Sequence, residues 1–396
     1  MSAPVIHGRC PGALRPMRSG DGLVVRVRPP LGRLSRGQAR ALAELAQTHG
    51  TGMIELTTRA NLQIRGVADT ALAGLTEALR AQGLIDDSPQ IEARRNIILN
   101  PFCTGDDAAW QDAMATALIR GLAGDDLAAL PGKFGFVIDA PPDRRDLARA
   151  IGDIRIETGT TGLIVRPDGA DTGRAAADPA QGVEMALDLA RWFIASGGVG
   201  PDGRGRMRRH LQDGATLPPG WPGDVLPAPA APTATPGPWA GGLCITAVFG
   251  QLPAARLGWL AERAPGDMAV TPFRMLFLRG LSATDLAGAD DLITRPDDPL
   301  RRVTACTGAP GCPQGLSDTR AVAATLAPRL APHEMLHVSG CAKGCAHPGP
   351  APLVLVARGP DLFDLIRDGT AAAPPAVTGL NAGDLPSLFD SLTKRP

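Results

Sequence analysis

The sequence predicts an α+β fold in which one strand–helix–strand–strand unit occurs twice. In the first copy, residues 23–28 (LVVRVR) form a predicted strand, and residues 35–49 form a helix for which Ser35 can serve as the N-cap. Residues 53–65 follow as two strands joined by a short turn, and residues 69–82 as another helix. The same order of elements returns late in the chain.

The second copy begins with a strand at residues 244–249, continues with a helix at 253–264, and ends with strands within 268–281. When the two copies are aligned, Thr57 falls on Thr271. Chance similarity between two strand-rich segments is the alternative explanation. The agreement in order over two blocks favours an internal duplication, which predicts a pseudo-twofold body with a cofactor held between the halves.

The alignment extends beyond the strands. Arg65-Gly66 falls on Arg279-Gly280, and downstream Cys103-Thr104-Gly105 corresponds to Cys306-Thr307-Gly308. Further helices are predicted within 103–139 and 182–197 and at 360–368, and a buried strand at 353–357 (LVLVA).

The predicted organisation has five segments. Two half-domains of the repeated type are each followed by an α/β domain, and a linker rich in Pro, Ala and Gly joins the two pairs. In chain order these are residues 1–90, 91–213, 214–242 (the linker), 243–295 and 296–396.

Composition excludes several classes of protein. The 396 residues are 44% hydrophobic and carry no formal net charge, which argues against a general nucleic-acid binder or an anionic-membrane binder. We see no run of roughly 20 apolar residues, and Met1–Gly8 lacks the features of a secretion signal. We therefore expect a cytoplasmic protein, in which clustered cysteines bind metal or do redox chemistry rather than form disulfides.

Four of the seven cysteines have ligand-like spacing: Cys306-x5-Cys312, then Cys341-x3-Cys345. Four thiolates in Gly- and Pro-rich loops suit a [4Fe–4S] cluster, because glycine lets backbone N–H groups approach the sulfur atoms. Structural zinc is the weaker alternative, since its cysteine pairs are usually closer than x5. Cys10, Cys103 and Cys244 lack partners at such spacing, and we expect small buried residues there.

Three basic residues lie in short blocks beside predicted strands: Arg59 in TTRANLQ, Arg95 in RRNIILNP and Lys133 in LPGKFGF. Each alone is more typical of a solvated charge. Together they would line a site for carboxylates or a small oxyanion. The basic run 204–210 (RGRMRRH) faces either an anionic partner or solvent. Because no Walker A loop is present and no GxGxxG follows a strand, electrons are expected from a separate reductase.

With these motifs the chain resembles the sirohaem-type nitrite and sulfite reductase family over most of its length. The family's cluster set corresponds to the four cysteines, its Thr-Arg-x-x-x-Gln block to Thr58-Arg59…Gln63, and its Arg-Asn block to Arg95-Asn96. The resemblance implies duplicated ferredoxin-like half-domains with cluster-bearing α/β domains. It also implies that Cys345 bridges the [4Fe–4S] cluster to the iron of sirohaem.

One departure from the family pattern bears on function. The family's Lys-x-Lys block corresponds to Lys133-Phe134-Gly135, so the second lysine is missing. A reductase of small oxyanions needs a dense cationic, proton-donating pocket, and the loss of a lysine weakens that role.

The N-terminal run at 9–29 is similar to one branch of the family. That branch uses O2 and a reductant, supplied by a separate reductase or NADH, to hydroxylate the carboxylated tetrapyrrole precorrin-3A at C-20 with formation of a γ-lactone. The resemblance then implies that Arg59, Arg95 and Lys133 hold substrate carboxylates and that Gly135 makes room for the macrocycle.

The identity of the iron stays open at this point, between sirohaem and a mononuclear non-haem iron. We find no 2-His-1-carboxylate spacing among the scattered histidines His7, His49, His210, His333 and His337. Two alternative functions also stay open: a sirohaem nitrite or sulfite reductase, and a non-catalytic iron–sulfur electron carrier. The basic blocks speak against the carrier, which needs no large anion pocket.

Overall fold

The computed structural model describes residues 12–86, 88–141, 143–289 and 291–392. Its α-helices are, in chain order, α1 (Arg36–His49), α2 (Leu72–Ala81), α3 (Pro89–Arg94), α4 (Gly105–Leu122), α5 (Pro179–Ala195), α6 (Met207–Gln212), α7 (Ala254–Arg263), α8 (Thr319–Leu326) and α9 (Leu385–Leu392). Among the helices of these residues, none combines the length and the apolar composition that a bilayer crossing requires.

The strands of the first half of the chain are β1 (Met17–Ser19), β2 (Gly22–Val27), β3 (Arg33–Leu34), β4 (Met53–Leu56), β5 (Leu62–Val67), β6 (Ile97–Leu99), β7 (Phe136–Asp139), β8 (Ile154–Gly159), β9 (Gly162–Pro167) and β10 (Arg174–Ala175). Those of the second half are β11 (Gly237–Trp239), β12 (Gly242–Ala247), β13 (Gln251–Pro253), β14 (Met268–Val270), β15 (Leu276–Arg279), β16 (Leu292–Ile293), β17 (Val303–Ala305), β18 (Leu336–Ser339), β19 (Ala351–Gly359), β20 (Leu362–Gly369) and β21 (Val377–Asn381).

The two half-domain sheets exchange one strand each. The first sheet has the order β1-β2-β5-β4-β13, so its edge strand comes from the second half of the chain. The second sheet has the order β11-β12-β15-β14-β3, with an edge strand from the first half. Helices α1 and α7 pack against each other, and apolar side chains of both sheets share one core. The two half-domains therefore form a single pseudo-twofold body.

The local backbone repeats along with the topology. Leu31 and Phe249 both adopt positive φ, at 51° and 56°, just before the exchanged strands. Ala60 and Arg274 do so as well, at 53° and 56°, in the turns β4–β5 and β14–β15. Left-handed backbone is uncommon for non-glycine residues, so its recurrence at equivalent positions supports the duplication independently of sequence.

The aligned threonines play the same role in both halves. The Thr57 hydroxyl accepts hydrogen bonds from the backbone N–H groups of Arg59 and Asn61, at 3.3 and 3.1 Å. The Thr271 hydroxyl accepts them from Phe273 and Met275, both at 3.2 Å. In each case the side chain closes the turn between two central strands.

Two α/β units complete the molecule, and they share one topology. The first has the strand order β10-β9-β8-β7-β6 and the second β17-β18-β19-β20-β21. In chain order, the first three strands of each unit (β6 to β8, and β17 to β19) are parallel, and the fourth (β9 or β20) is antiparallel to the third. Helices α4 and α8 lie in the crossovers β6–β7 and β17–β18. The loops that follow the first two strands of each unit therefore meet at one sheet edge.

Most predicted elements are confirmed, including the N-cap: Ser35 and Gln38 form a reciprocal capping box at the start of α1. The predicted helix at 360–368 is wrong, because these residues form β20, the second strand of a hairpin with β19. Asp361 adopts a φ of 52° in the tight turn. The run 363–366 is buried on both faces of the sheet, and a short run of this kind does not distinguish a strand from a helix.

The predicted linker range, 214–242, contains ordered structure. The N–H of Thr160 donates to the carbonyl of Leu226 and that of Ala228 to the carbonyl of Thr158, both at 2.9 Å. This part of the chain thus runs along the hairpin β8–β9, and β11 also lies within the range. The five domain boundaries stay predictions.

Replacing either turn threonine by valine should lower the free energy of unfolding, because each change leaves two backbone N–H groups without their acceptor. We expect Thr271→Val to cost about 2–3 kcal/mol and Thr57→Val less, since Thr271 is fully buried and water cannot reach its turn. Chemical denaturation of the two variants measures the difference. Equal losses would contradict this account.

Candidate functional site

The loops that carry the four cysteines lie side by side at the carboxyl edge of the second α/β unit. Cys306 directly follows β17, and Cys341 follows β18 after one glycine. These two strands are adjacent and parallel, with Ala305 opposite Val338. The N–H of Gly340 donates to the Sγ atom of Cys306 at 3.1 Å, so a backbone donor already points at a thiol of the set.

Three glycines allow the cysteine loops to approach one another closely. A Cβ atom on Gly340 would lie 3.2 Å from the Cα of Gly315 and 3.4 Å from that of Gly308. One on Gly315 would lie 2.5 Å from the carbonyl carbon of Gly308, which no side chain tolerates. Gly308 itself has a φ of 62°. Side chains at these positions would force the loops apart, so the close approach of the loops requires glycine there.

The other three cysteines of the set act on the ionisation of the Cys345 thiol. Burial raises the pKa of the Cys345 thiol, the ammonium of Lys343 lowers it, and the neighbouring Cys341, Cys306 and Cys312 raise it. Thiols that influence one another's ionisation in this way lie close together. A metal cluster would reverse the effect, because thiolates bound to iron are stabilised in the ionised form.

The arrangement suits a cubane cluster, in which each cysteine binds a different iron. Within 12–86, 88–141, 143–289 and 291–392, no three His, Cys, Asp or Glu side chains are grouped as a single metal ion would require. Four soft thiols in two glycine-rich loops fit the [4Fe–4S] group.

His337 was not singled out by sequence reasoning as a neighbour of these loops. It is fully buried, and neither ring nitrogen has a hydrogen-bond partner among the described residues. A Cβ atom on Gly344, which lies between Cys341 and Cys345, would lie 3.6 Å from the Cε1 atom of the His337 ring. Burial, followed by the nearby His347, lowers the pKa of His337 to about 4. The imidazole is thus neutral and adds no charge beneath the cysteine loop.

The structure brings together two of the three predicted basic residues. The guanidinium of Arg59 donates to the backbone carbonyl of Lys133 at 3.1 Å, and the Lys133 side chain is exposed. A Cβ atom on Gly135 would lie 3.7 Å from Arg59 Nη1, so the position of the missing lysine belongs to the same group. Arg95 instead forms a half-buried ion pair with Asp86 at 2.7 Å.

The basic run 204–210 is not an open cationic surface. Arg206 pairs with buried Asp153 at 2.9 Å, Arg208 with Asp168 at 2.8 Å and Arg209 with Asp213 at 2.8 Å. These charges are largely neutralised within the first half of the chain. This run therefore contributes little attraction for an anionic partner.

A polar row on the first sheet includes Gln63 of the Thr-Arg-x-x-x-Gln block, but sequence reasoning missed the residues on either side of it. Arg26, Gln63 and Glu55 lie opposite one another on β2, β5 and β4. Arg26 donates to the Gln63 side chain at 2.9 Å, and Gln63 donates to Glu55 at 3.2 Å. Glu55 also pairs with Arg320 on α8, at 3.1 Å. The alternation in LVVRVR was the available signal, because it turns its arginines away from the core.

The equivalent row of the second sheet is apolar. Cys244, Phe277 and Ala269 occupy the positions of Arg26, Gln63 and Glu55. Phe102 of the first α/β unit packs on Phe277, with ring centroids 5.3 Å apart, and closes that face. Of these two sheets, the first presents a polar face to the α/β unit of the other half, the one that carries the cysteine loops. The prediction that Cys103 and Cys244 are buried is confirmed, whereas Cys10 lies outside the described residues.

Known proteins resemble both the sequence and the fold. The model of the nitrite/sulfite reductase ferredoxin-like half domain matches residues 15–82. A precorrin-3B synthase of Sinorhizobium sp. is 30% identical over 407 residues, which cover 94% of this chain and 85% of that protein. The chain belongs to the precorrin-3B synthase family.

Two further comparisons place this precorrin-3B synthase relative within its larger group. A ferredoxin–nitrite reductase of Synechococcus elongatus is 34% identical, but over 139 residues that span 33% of this chain and 27% of the reductase. The solved structure of the Mycobacterium tuberculosis NirA protein superimposes with a TM-score of 0.65 at 18% identity, covering 93% of this chain and 79% of that one. The predicted α+β fold with ferredoxin-like half-domains is confirmed.

In the first α/β unit of this family member, the loops that correspond to the cysteine loops are held together without cysteine ligands. The predicted match of Cys103 with Cys306 is wrong by three residues: counted from the end of the first strand of each unit, Asn100 occupies the position of Cys306. The side-chain amide of Asn100 donates to Asp139 and Asp146, both at 2.9 Å. Asp139 also accepts from the N–H of Leu147 at 2.7 Å. Burial raises the pKa of Asp139 to about 7 despite these donors, with the nearby Asp146 adding to the increase. A carboxyl network holds the loops that the cluster would hold in the second unit.

Asp139 makes stability dependent on pH. Its pKa is higher in the folded chain than its ordinary value of 3.8, so its stabilising contribution is full below about pH 4 and is lost as pH rises through 7. At about 1.4 kcal/mol for each pKa unit, the change is slightly more than 4 kcal/mol. Asp139→Asn should be less stable than the wild type at pH 5 and should lose less stability between pH 5 and pH 8, as measured by denaturation. The exposed Asp143→Asn is the control, and parallel pH profiles would refute the assignment.

Cys345→Ser should lose the iron–sulfur cluster or weaken its electronic coupling, because a serine hydroxyl ionises far less readily than a thiol. Iron and sulfide analysis with anaerobic absorption spectra measures the loss. Cys103→Ser is the matched control, since it removes a buried thiol away from the loops and should keep the iron content per folded chain. Retention of the full signal and activity in Cys345→Ser would remove Cys345 from the ligand set.

Proposed function

We propose that this protein is a precorrin-3B synthase of aerobic cobalamin biosynthesis, acting in the cytoplasm as an O2-dependent monooxygenase. It hydroxylates precorrin-3A at C-20, and a ring-A acetate closes to a γ-lactone. One oxygen atom of O2 enters the product and the other leaves as water, which consumes two electrons and two protons. The observation that carries this proposal is the 30% identity to a precorrin-3B synthase over 94% of the chain.

In this proposal Cys306, Cys312, Cys341 and Cys345 hold a [4Fe–4S] cluster. When bound, the cluster supplies one-electron transfer to the iron that activates O2. By the family resemblance that iron would belong to sirohaem, for which Cys345 would be the protein ligand. A mononuclear non-haem iron is the alternative, with the tetrapyrrole pocket given over to substrate.

The substrate site in this proposal includes the group formed by Arg59, Lys133 and Gly135. The acetates and propionates of precorrin-3A need cationic donors, and an exposed lysine beside an arginine provides them. Glycine at 135 leaves space where the larger family has a lysine. Arg95 contributes through its ion pair with Asp86, which fixes the block that precedes β6. Its direct contact with a carboxylate stays a prediction.

Electrons come from a separate reductase or from NADH through such a partner, because the chain has no Walker A loop and no GxGxxG that follows a strand. A nitrite or sulfite reductase activity is the second candidate, supported by the partial match to a ferredoxin–nitrite reductase. The missing second lysine at Gly135 weighs against it.

Incubation of the anaerobically purified protein with precorrin-3A and a reducing system tests the proposal. We expect conversion only when O2 is admitted, with one labelled atom of 18O2 in the product. Lys133→Ala should raise KM more than it lowers kcat if the lysine holds a carboxylate. A sirohaem absorption band with nitrite or sulfite turnover would favour the reductase instead. Four irons, no macrocycle affinity and no turnover would indicate an electron carrier.

A further inference from the structure

Arg65 reaches from the first half-domain into the cysteine loops of the second α/β unit. It lies on β5, two residues beyond Gln63. Its side chain is only 8% exposed. The guanidinium binds Asp21 through two hydrogen bonds of 3.0 and 2.8 Å and lies 3.6 Å from Glu55. These carboxylates hold it in one orientation.

The remaining contacts of Arg65 are made to the cluster side. Its Nη2 atom donates to the carbonyl of Gly311 at 3.2 Å and to the hydroxyl of Ser19 at 3.0 Å. Ser19 in turn donates to the same Gly311 carbonyl at 2.9 Å. Gly311 immediately precedes Cys312. One carbonyl next to a cluster cysteine thus accepts two hydrogen bonds from residues that are far away in the chain.

The duplicated half-domain provides an internal comparison. Arg279, the counterpart of Arg65 on β15, donates to the carbonyl of Pro101 at 3.0 Å. Pro101 lies in the loop that follows β6, the counterpart of the loop that follows β17. Each half-domain therefore holds the first loop of the other half's α/β unit. The loop held by Arg279 carries none of the four clustered cysteines, so the same contact exists once with a cluster loop and once without.

We propose that Arg65 and Ser19 are positioning residues for the cluster: they fix the Gly311 carbonyl, and through it the Cys312 thiolate, against the polar face of the first half-domain sheet. This inference rests on the cluster assignment of the proposed function. The contact ties the sheet that carries the Arg26–Gln63–Glu55 row to a cluster ligand. The same contact keeps the buried positive charge of Arg65 beside the anionic cluster with its cysteine thiolates.

Arg65→Met and Arg65→Lys separate the contribution of the guanidinium's hydrogen bonds from that of its positive charge. Arg279→Met is the matched control. Each variant is purified anaerobically with its cluster, and iron release to a chelator and the cluster's reduction potential are measured. Arg65→Met should release iron roughly tenfold faster than the wild type, the factor expected for losing a hydrogen bond from a charged donor. Its potential should become more negative, because a nearby positive charge is lost.

Arg65→Lys keeps the charge but not the planar fork, so its iron release should be faster while its potential stays near the wild-type value. Arg279→Met should leave both quantities unchanged, whatever it costs in melting temperature. Equal iron release in Arg65→Met and Arg279→Met, or an unchanged potential in Arg65→Met, would overturn the positioning role while the cluster itself stands. A wild-type chain that binds no iron and sulfide would overturn both this role and the cluster of the proposed function.

Discussion

The parallel pairing of β17 with β18 is the interaction on which the site depends. It sets the ends of two neighbouring strands side by side, and Cys306 and Cys341 follow those ends closely. Everything else at the site refines this juxtaposition. Glycines let the two loops touch, the Gly340 N–H points at a sulfur, and the first half-domain holds the loop at Gly311. The hydrogen-bonded pairing of the two strands brings the loops together, and the loops supply the cysteine side chains.

The same sheet topology carries an apolar, covered face in one half of the molecule and a polar face in the other. A row of three apolar residues on the second sheet is covered by Phe102, and burial of such side chains stabilises that face. The matching row on the first sheet is charged, so it requires partners such as Arg320 to satisfy it. A polar face of this kind costs stability, and it lies on the side of the cysteine loops.

Local patterns in the sequence were sufficient for a large part of the fold. The Ser35 cap, the alignment of Thr57 with Thr271 and the cysteine spacing are short-range signals, and the capping box and the matched turns follow from them. The predicted helix at 360–368 failed because a short apolar run has no decisive period. The contacts of Arg65 with Gly311 and of Arg95 with Asp86 depend on how distant segments pack. No periodicity along one segment carries that information.

The reciprocal exchange of β3 and β13 is the arrangement of a two-fold symmetric dimer, in which the same patch of both partners forms the interface. In such a dimer of identical subunits, both sheet faces would carry the same residues. A change that made one face polar would open the other as well. Joining two copies in one chain removes this constraint, because each copy then mutates separately. The covalent link between the halves thus permits one polar face and one apolar face, which a dimer of identical subunits could not combine.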